Sequence, residues 1–411
     1  MLPVLDGNYL LALPLPLADP GPQSRLAALA VLRVDAALRA VGPGELIRCK
    51  LPARVLPRPG YLFSQSLDPT ALAQGLTELE FVERLQSLLT APDTTVITWS
   101  ARHLQGLLAA QLRLWRKPDL LSRIPALCDL FEITKTVAVL GPQSHPWQSG
   151  LVAAAAGFGH KAPHSPPTWQ ERLELMRMLL ETISQNHAPI LNFQLQPQQE
   201  RRLRIRKALE QGSMLAGLGP KAQIRVLKPL CLSQDILKAR VYEEGELSVQ
   251  ALPLCECALL APVGILTEAR QQALGFDLKE AQRALAQSGP QEAAEVKSPV
   301  PWWQGLERGY SKADYEWLES REGAPLQSYE APALGCTKAL GDDYLRCLGD
   351  NCPGSMIDED YRAYLELSRS EVSAGIKSYL TECAALLNHA DENDARQSEL
   401  LRRIRDYPLT L

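Results

Sequence analysis

Residues 8–21, NYLLALPLPLADPG, set the problem. Leu11, Leu13, Leu15 and Leu17 alternate with Ala12, Pro14 and Pro16. A period of two is strand spacing and puts the leucines on one face. Proline has no ladder donor and is confined to sheet edges and strand ends, so two prolines should end the strand early or bulge it. Residues 29–35 (LAVLRVD) read as the returning strand across the turn-rich ADPGPQS, and residues 45–50 (ELIRCK) as a third.

LPRPG at 56–60 follows as a rigid connector. Asp68 and Pro69 have the chemistry of an N-cap and first helical residue. A helix is expected over 78–89, with Leu79, Phe81, Val82, Leu85 and Leu88 on its apolar stripe. TTVITW at 94–99 is a short buried strand, with helices near 103–115 and 129–139. Residues 141–168 read as irregular, and QERLELMRMLLETIS as the helix closing an α/β layer near 185. Beyond 190 the texture changes. QQERRLRIRKALEQG is a basic helix, and AQIRVLKPLCL, ILKARVYEEGELSVQALPL and CALLAPV make a small β unit. Residues 284–301 read as a linker, and SKADYEWLES, DEDYRAYLELSRSEVSAGIKSYLTECAALL and ARQSELLRRIRDY as helices. The expected domains are 1–187, 188–285 and 286–411, in the order α/β, β, all-α.

The 411 residues are 46% apolar and 22% charged with net charge −4, an ordinary globular composition that advertises no nucleic-acid partner. The sequence has no run of about 18 apolar residues, so no membrane-spanning helix is expected. MLPVLDGNYL lacks the basic start of a signal peptide. Nine cysteines, an odd number, in a chain large enough to build its core without disulfides suit reduced thiols in the cytoplasm. Cys255–Cys257 and Cys347–Cys352 lack the partner pairs of a zinc site, so no metal is expected there.

Several stretches, taken in order, resemble the bacterial exodeoxyribonuclease I family: CKLPARVLPRPGYLFSQSLDPTALAQGLTELEFVERL (49–85), DLFEITKTVAVLGP (129–142), CALLAPVGILTEARQQALGFD (257–277) and DNCPGSMIDEDYRAYLELSR (350–369). The resemblance implies an RNase H-like (DnaQ-like) 3′–5′ exonuclease domain, a small Src-homology-like β-barrel and an all-α C-terminal domain. It also implies four carboxylates holding two magnesium ions, which activate water and stabilise the leaving oxygen.

At the matching positions those carboxylates are missing. Leu13 and Leu15 stand where the first-strand aspartate and glutamate belong, Gln105 in TWSARHLQG replaces the third, and Ser165 and Trp169 in HSPPTW replace the last motif's aspartates. His164 keeps the general-base position, and Gln65 and Ser66 replace the family's T-G. The expectation is a degenerate site at Leu13, Leu15, Gln105, His164 and Trp169 that binds no magnesium, its residues gathered in one pocket. Asp6, Asp129 and Glu132 are the carboxylates from which a relocated site would have to be built. Arg201, Arg202, Arg204, Arg206 and Lys207 form either a solvated helix face or a phosphate-tracking surface. Trp302 and Trp303 either stack bases or seal an interface. Pro262 and Thr267 replace polar and basic family residues, which puts docking of the single-strand DNA-binding protein tail in doubt. The functional expectation is a catalytically inactive subunit that binds single-stranded DNA or serves as a scaffold for other DNA-metabolism proteins. The alternatives are a protein-interaction subunit without DNA binding and an exonuclease with relocated ligands.

Overall fold

In the computed structural model, the central strand of the first sheet is the one with the prolines. β1 (Asn8–Pro16) runs antiparallel to β2 (Leu26–Val34), and β3 (Glu45–Arg48) extends that edge. The described residues are 8–17, 25–52, 54–92, 94–112, 124, 126–141, 148, 150–196, 198–219, 221–233, 236–254, 258–287, 310–321, 324–389 and 394–410.

After β3 come α1 (Pro59–Ser64), α2 (Pro69–Leu72) and α3 (Glu78–Leu89). LPRPG is therefore the entry to a helix, with Pro59 in its first turn, where a missing N–H costs nothing. Asp68 caps α2 by accepting from Thr70 N–H (2.9 Å), and Thr77 with Glu80 forms the capping box of α3. β4 (Thr94–Thr98) lies parallel to β1 on its other side, followed by α4 (Ala101–Leu112), β5 (Ala126–Asp129) and α5 (Leu130–Leu140). The sheet order is β3-β2-β1-β4-β5.

The register explains the prolines. Leu17 N–H donates to Arg25 C=O (3.0 Å), so the odd-numbered amides of β1 face β2 and the even-numbered ones face β4. β4 ends at Thr98, opposite Ala12. Pro14 and Pro16 lie beyond that end, on the side where no ladder donor is required. The strand does not stop early; it reaches Pro16, and the register with β2 slips between Leu15 and Pro16. On the vacated side, Gln65 Nε2 donates to Pro16 C=O (2.9 Å).

Helices cover both faces. Leu11, Leu13 and Leu15 pack with α5 and with α7 (Trp169–Asn186), which follows α6 (Leu151–Gly157). Leu10 and Ala12 pack with Phe81, Leu85 and Leu89 of α3 and Leu104 of α4. Residues 141–168 are thus not wholly irregular, because α6 lies within them. α8 (Ala188–Gln194) and α9 (Gln198–Gln211) lead into the second unit, an antiparallel sheet of order β10-β6-β7-β8-β9. Its strands are β6 (Leu215–Leu218), β7 (Ile224–Ser233), β8 (Ile236–Glu243), β9 (Glu246–Pro253) and β10 (Ala258–Pro262). α10 (Glu268–Leu274) is capped by Thr267, and α11 (Leu278–Gln287) takes up the first residues of the expected linker. The rest of that linker, with Trp302 and Trp303, lies outside the described residues, as do Cys255, Cys257 and Asp6.

The last unit is helical: α12 (Lys312–Ser320), α13 (Lys338–Asn351), α14 (Asp358–His389) and α15 (Ala395–Asp406). It is fused to the first. Tyr379, Cys383, Ile404 and Tyr407 share a core cluster with Leu13 and Leu15. Buried Arg54 makes a two-pronged ion pair with Asp350 (Nε–Oδ1 3.0 Å, Nη2–Oδ2 2.6 Å) and reaches Glu371 (3.0 Å). Among the described residues no helix is long and apolar enough to cross a membrane.

Candidate functional site

Because β4 stops four residues short of the end of β1, the sheet leaves a notch at that corner. A cavity of about 370 Å³ occupies it. β1 supplies Leu13, Pro14 and Pro16; the end of α1 supplies Tyr61, Ser64 and Gln65. The turn after β4 brings Trp99 and Ser100, α4 brings His103, and the far wall is Leu151 of α6 and Arg172 of α7.

The polar groups here are unevenly satisfied. Asp129, at the end of β5, accepts from Ala101 N–H (2.8 Å) and Glu132 N–H (3.3 Å), capping α4 and α5 together. Burial, and then the charge of Glu132, push its pKa up to about 7 against those N–H donors. Gln65 is 4% exposed and its Oε1 has no partner among the described residues. Arg172 donates through Nη2 to Ser64 C=O, while its Nε is buried and unpartnered among the described residues. Burial lowers the pKa of both Arg172 and His103. No described carboxylate lines the cavity, and no cluster of His, Cys, Asp and Glu able to hold a metal occurs among the described residues. The wall as described does not fit magnesium, which needs hard oxygen ligands.

The residues singled out in the sequence do not all meet here. Leu13 lines the cavity; Leu15, on the same face, is 1% exposed and belongs to the core. Trp169 opens α7 and packs against Gly44, where a Cβ would lie 3.2 Å from its ring, so it faces the β2–β3 edge instead of the cavity. His164 is exposed and its Nδ1 bonds Glu171 Oε1. Burial raises the Glu171 pKa, but bonds from His164 and Thr168 outweigh it and hold the carboxyl below its usual range. Gln105 lies on α4; its side chain is outside the described residues. Sequence reading missed Arg172, His103, Trp99 and Leu151, which come from three helices and a turn with no common spacing.

The basic helix is also divided. Arg201 donates to Leu254 C=O (3.4 Å) and Gln194 Oε1 (3.3 Å). Arg204 donates to Leu260 C=O (3.2 Å) and Gln196, and stacks on the Phe193 ring at 4.0 Å. These two tie α9 to α8 and to the β unit. Arg202 is half-buried and already engaged; Arg206 and Lys207 are exposed.

No family model and no curated protein matches the chain. Solved structures do. Product-bound exonuclease I superposes with a TM-score of 0.74 at 14% identity, covering 98% of this chain and 100% of that one. E. coli exonuclease I in complex with a dA16 oligonucleotide gives 0.72 at 14% identity, with the same coverage. A structure described as SSB/exonuclease I with an inhibitor gives 0.74 at 14% identity, covering 98% of this chain and 99% of that one. The chain therefore shares the fold of exonuclease I, with an α/β unit, a small antiparallel β unit and a helical unit in that order.

Proposed function

We propose that this chain binds single-stranded DNA without hydrolysing it. What carries the reading is the wall at the end of β1, where Leu13, Pro14, Gln65 and Arg172 meet with no described carboxylate among them. The fold is shared with exonuclease I solved with an oligonucleotide, which supports an inherited strand path. Two-metal phosphodiester hydrolysis needs carboxylates to place its metals, and a leucine cannot supply one. His164 held by Glu171 has no metal-activated water to deprotonate. Of the candidates for a relocated ligand, Asp129 caps two helices and Glu132 is paired with Lys135 (2.8 Å).

A second reading, a protein-interaction subunit without DNA binding, is favoured by the intramolecular use of Arg201 and Arg204. One titration separates the two. A labelled oligonucleotide should stay intact with magnesium or manganese yet bind at low salt without sequence preference, since phosphates carry no sequence information. Replacing Arg206 and Lys207 with alanine should flatten the dependence of log affinity on log salt by about 1.4, at about 0.7 per single-strand phosphate contact. No binding at low salt leaves the second reading; magnesium-dependent digestion refutes both.

A further inference from the structure

One edge of the second sheet is long and undefended. β9 stands last in the order β10-β6-β7-β8-β9, and among the described residues no strand pairs with its outer side. The hairpin decides which of its amides point outward. β8 and β9 are joined by Glu244 and Gly245 alone, with φ of 49° and 85°, the two positive values of a type I′ turn. Such a turn makes Glu243 and Glu246 a hydrogen-bonded pair, so Glu246, Ser248, Gln250 and Leu252 turn their amides to β8. Leu247, Val249 and Ala251 turn theirs outward. Pro253, which has no N–H, falls on the outward side, where β8 needs none. Edge strands are ordinarily blunted by shortness, lysine, proline or a bulge. The first sheet's edges, β3 and β5, have four residues each. β10 has a register shift against β6, and Arg204 donates to its Leu260 C=O (3.2 Å). β9 has eight residues, an unbroken register with β8 and no cation, and its Leu247 is 42% exposed.

We propose that this edge pairs with a second copy of the chain, β9 against β9 about a two-fold axis. An axis perpendicular to the sheet runs the two strands antiparallel and keeps each face on its own side. One register sets the three outward residues against one another: Leu247 opposite Ala251 of the second copy, Val249 opposite Val249, and Ala251 opposite Leu247. Each of these pairs exchanges two bonds, about six in all. The side chains suit that register. Large Leu247 meets small Ala251 on one face, and Ser248 meets Gln250, polar against polar, on the other. The charges suit it too. Exposed Glu246 falls opposite Leu252, and exposed Glu244 reaches toward Leu254, whose carbonyl accepts from Arg201 (3.4 Å). Opposite signs therefore approach at both ends of the paired strands. An acidic peptide fits the edge less well, because β9 itself carries no cation. The outward strip is about 20 Å long and buries less than the roughly 1,200 Å² of standard interfaces, so the dimer is weak, with a Kd of about 10–100 μM. The pairing is independent of strand binding through Arg206 and Lys207, which succeeds or fails by itself.

The test is sedimentation velocity of the full chain from about 1 to 300 μM, a range that brackets a weak interface of this size. The wild type should pass from monomer to dimer and no further, because a two-fold contact closes on itself. Position 249 meets its own copy, so Val249→Lys should weaken the dimer about tenfold or more by like-charge contact, and Val249→Glu should do the same. An equimolar mixture of those two variants should recover association, since only the mixed dimer sets Lys against Glu. Val249→Pro removes the central outward N–H and no bond to β8, so it should abolish association and leave the melting temperature nearly unchanged. It also serves as the reading if a charged variant does not fold. A wild type that stays monomeric throughout overturns the proposal, even if the edge then takes up an added peptide. Association unchanged in the variants, growth beyond the dimer, or a mixture that fails to recover what each charged variant loses overturns it as well.

Discussion

Asp350 should matter more to stability than the arginine it grips. Arg54, 4% exposed, gives it two prongs, at 3.0 and 2.6 Å. Arg25 approaches the same carboxylate at 3.5 Å, and Tyr364 O–H donates to it at 3.0 Å. Asp350 is thus a hub joining α13 to the first sheet's flank, and Arg54 is one of its spokes. Removing one partner of a buried ion pair leaves an uncompensated charge and costs about 3–5 kcal/mol. Asp350→Leu removes the anion shared by buried Arg54 and half-buried Arg25, leaving Arg54 with Glu371 (3.0 Å) and Arg25 with Glu78 (3.1 Å), so its loss should fall at the lower end of that range. Arg54→Met leaves Asp350 with Arg25 and Tyr364, and leaves Glu371 with Arg346 (2.7 Å), so about 1–3 kcal/mol is expected. The double variant should cost less than the sum, with a coupling of about 1–3 kcal/mol, because an apolar pair suffers no charge desolvation. Urea denaturation followed by circular dichroism, with midpoint and slope fitted for all three variants, reads this directly. If Arg54→Met costs as much as Asp350→Leu, or the two effects add without coupling, the hub reasoning is wrong.

Two further outcomes are expected. Asp129 holds its proton in the folded protein up to about pH 7, whereas the unfolded chain releases it near pH 4. The native state binds the extra proton over that window, so stability falls as pH rises from about 4 to 7, by up to about 4 kcal/mol from this group. Asp129→Asn should flatten that slope in urea midpoints taken across the window; an unchanged slope would assign the pH dependence elsewhere. Restoring carboxylates on β1 should also be unequal. Leu15→Glu puts a charge into the core and should cost roughly 3 kcal/mol or more, while Leu13→Asp faces the cavity beside Arg172 and should cost less; the reverse order in melting experiments would misplace the cavity.

The parts of the fold legible in the sequence are those whose periodicity is unbroken. β1, β2 and α3 show their buried faces directly, and the cap at Asp68 follows local chemistry. β5 was illegible because its four residues, ALCD, run without a break into α5, with Asp129 serving as strand end and helix cap at once. α6, LVAAAAG, follows a stretch rich in proline and glycine and reads as loop. α13 carries Gly341 and Gly349, which weaken a helical reading; Gly349 is needed because the Tyr364 ring lies against its Cα. The site was harder still. A basic run shows charge in one dimension, but not that Leu254 and Leu260 carbonyls face Arg201 and Arg204. Nor does an alternation of leucines tell which one meets a cavity, since Leu13 and Leu15 have the same periodicity.

What excuses Pro14 and Pro16 is a single fact of register: β4 ends opposite Ala12. Past that point β1 has a neighbour on one side only. Its other side needs no backbone donor, so proline is tolerated, and the space that a continuing strand would fill becomes the notch walled by Gln65, Trp99 and Arg172. In the proposed reading, the same corner would hold metals if its wall carried carboxylates. With Arg172 there, an aspartate returned to position 13 would meet a guanidinium instead of a metal ion. Reversing the chemistry of this corner therefore takes more than restoring the missing acids. The arginine must leave as well, and Ser64 C=O, which it now satisfies, must find another donor.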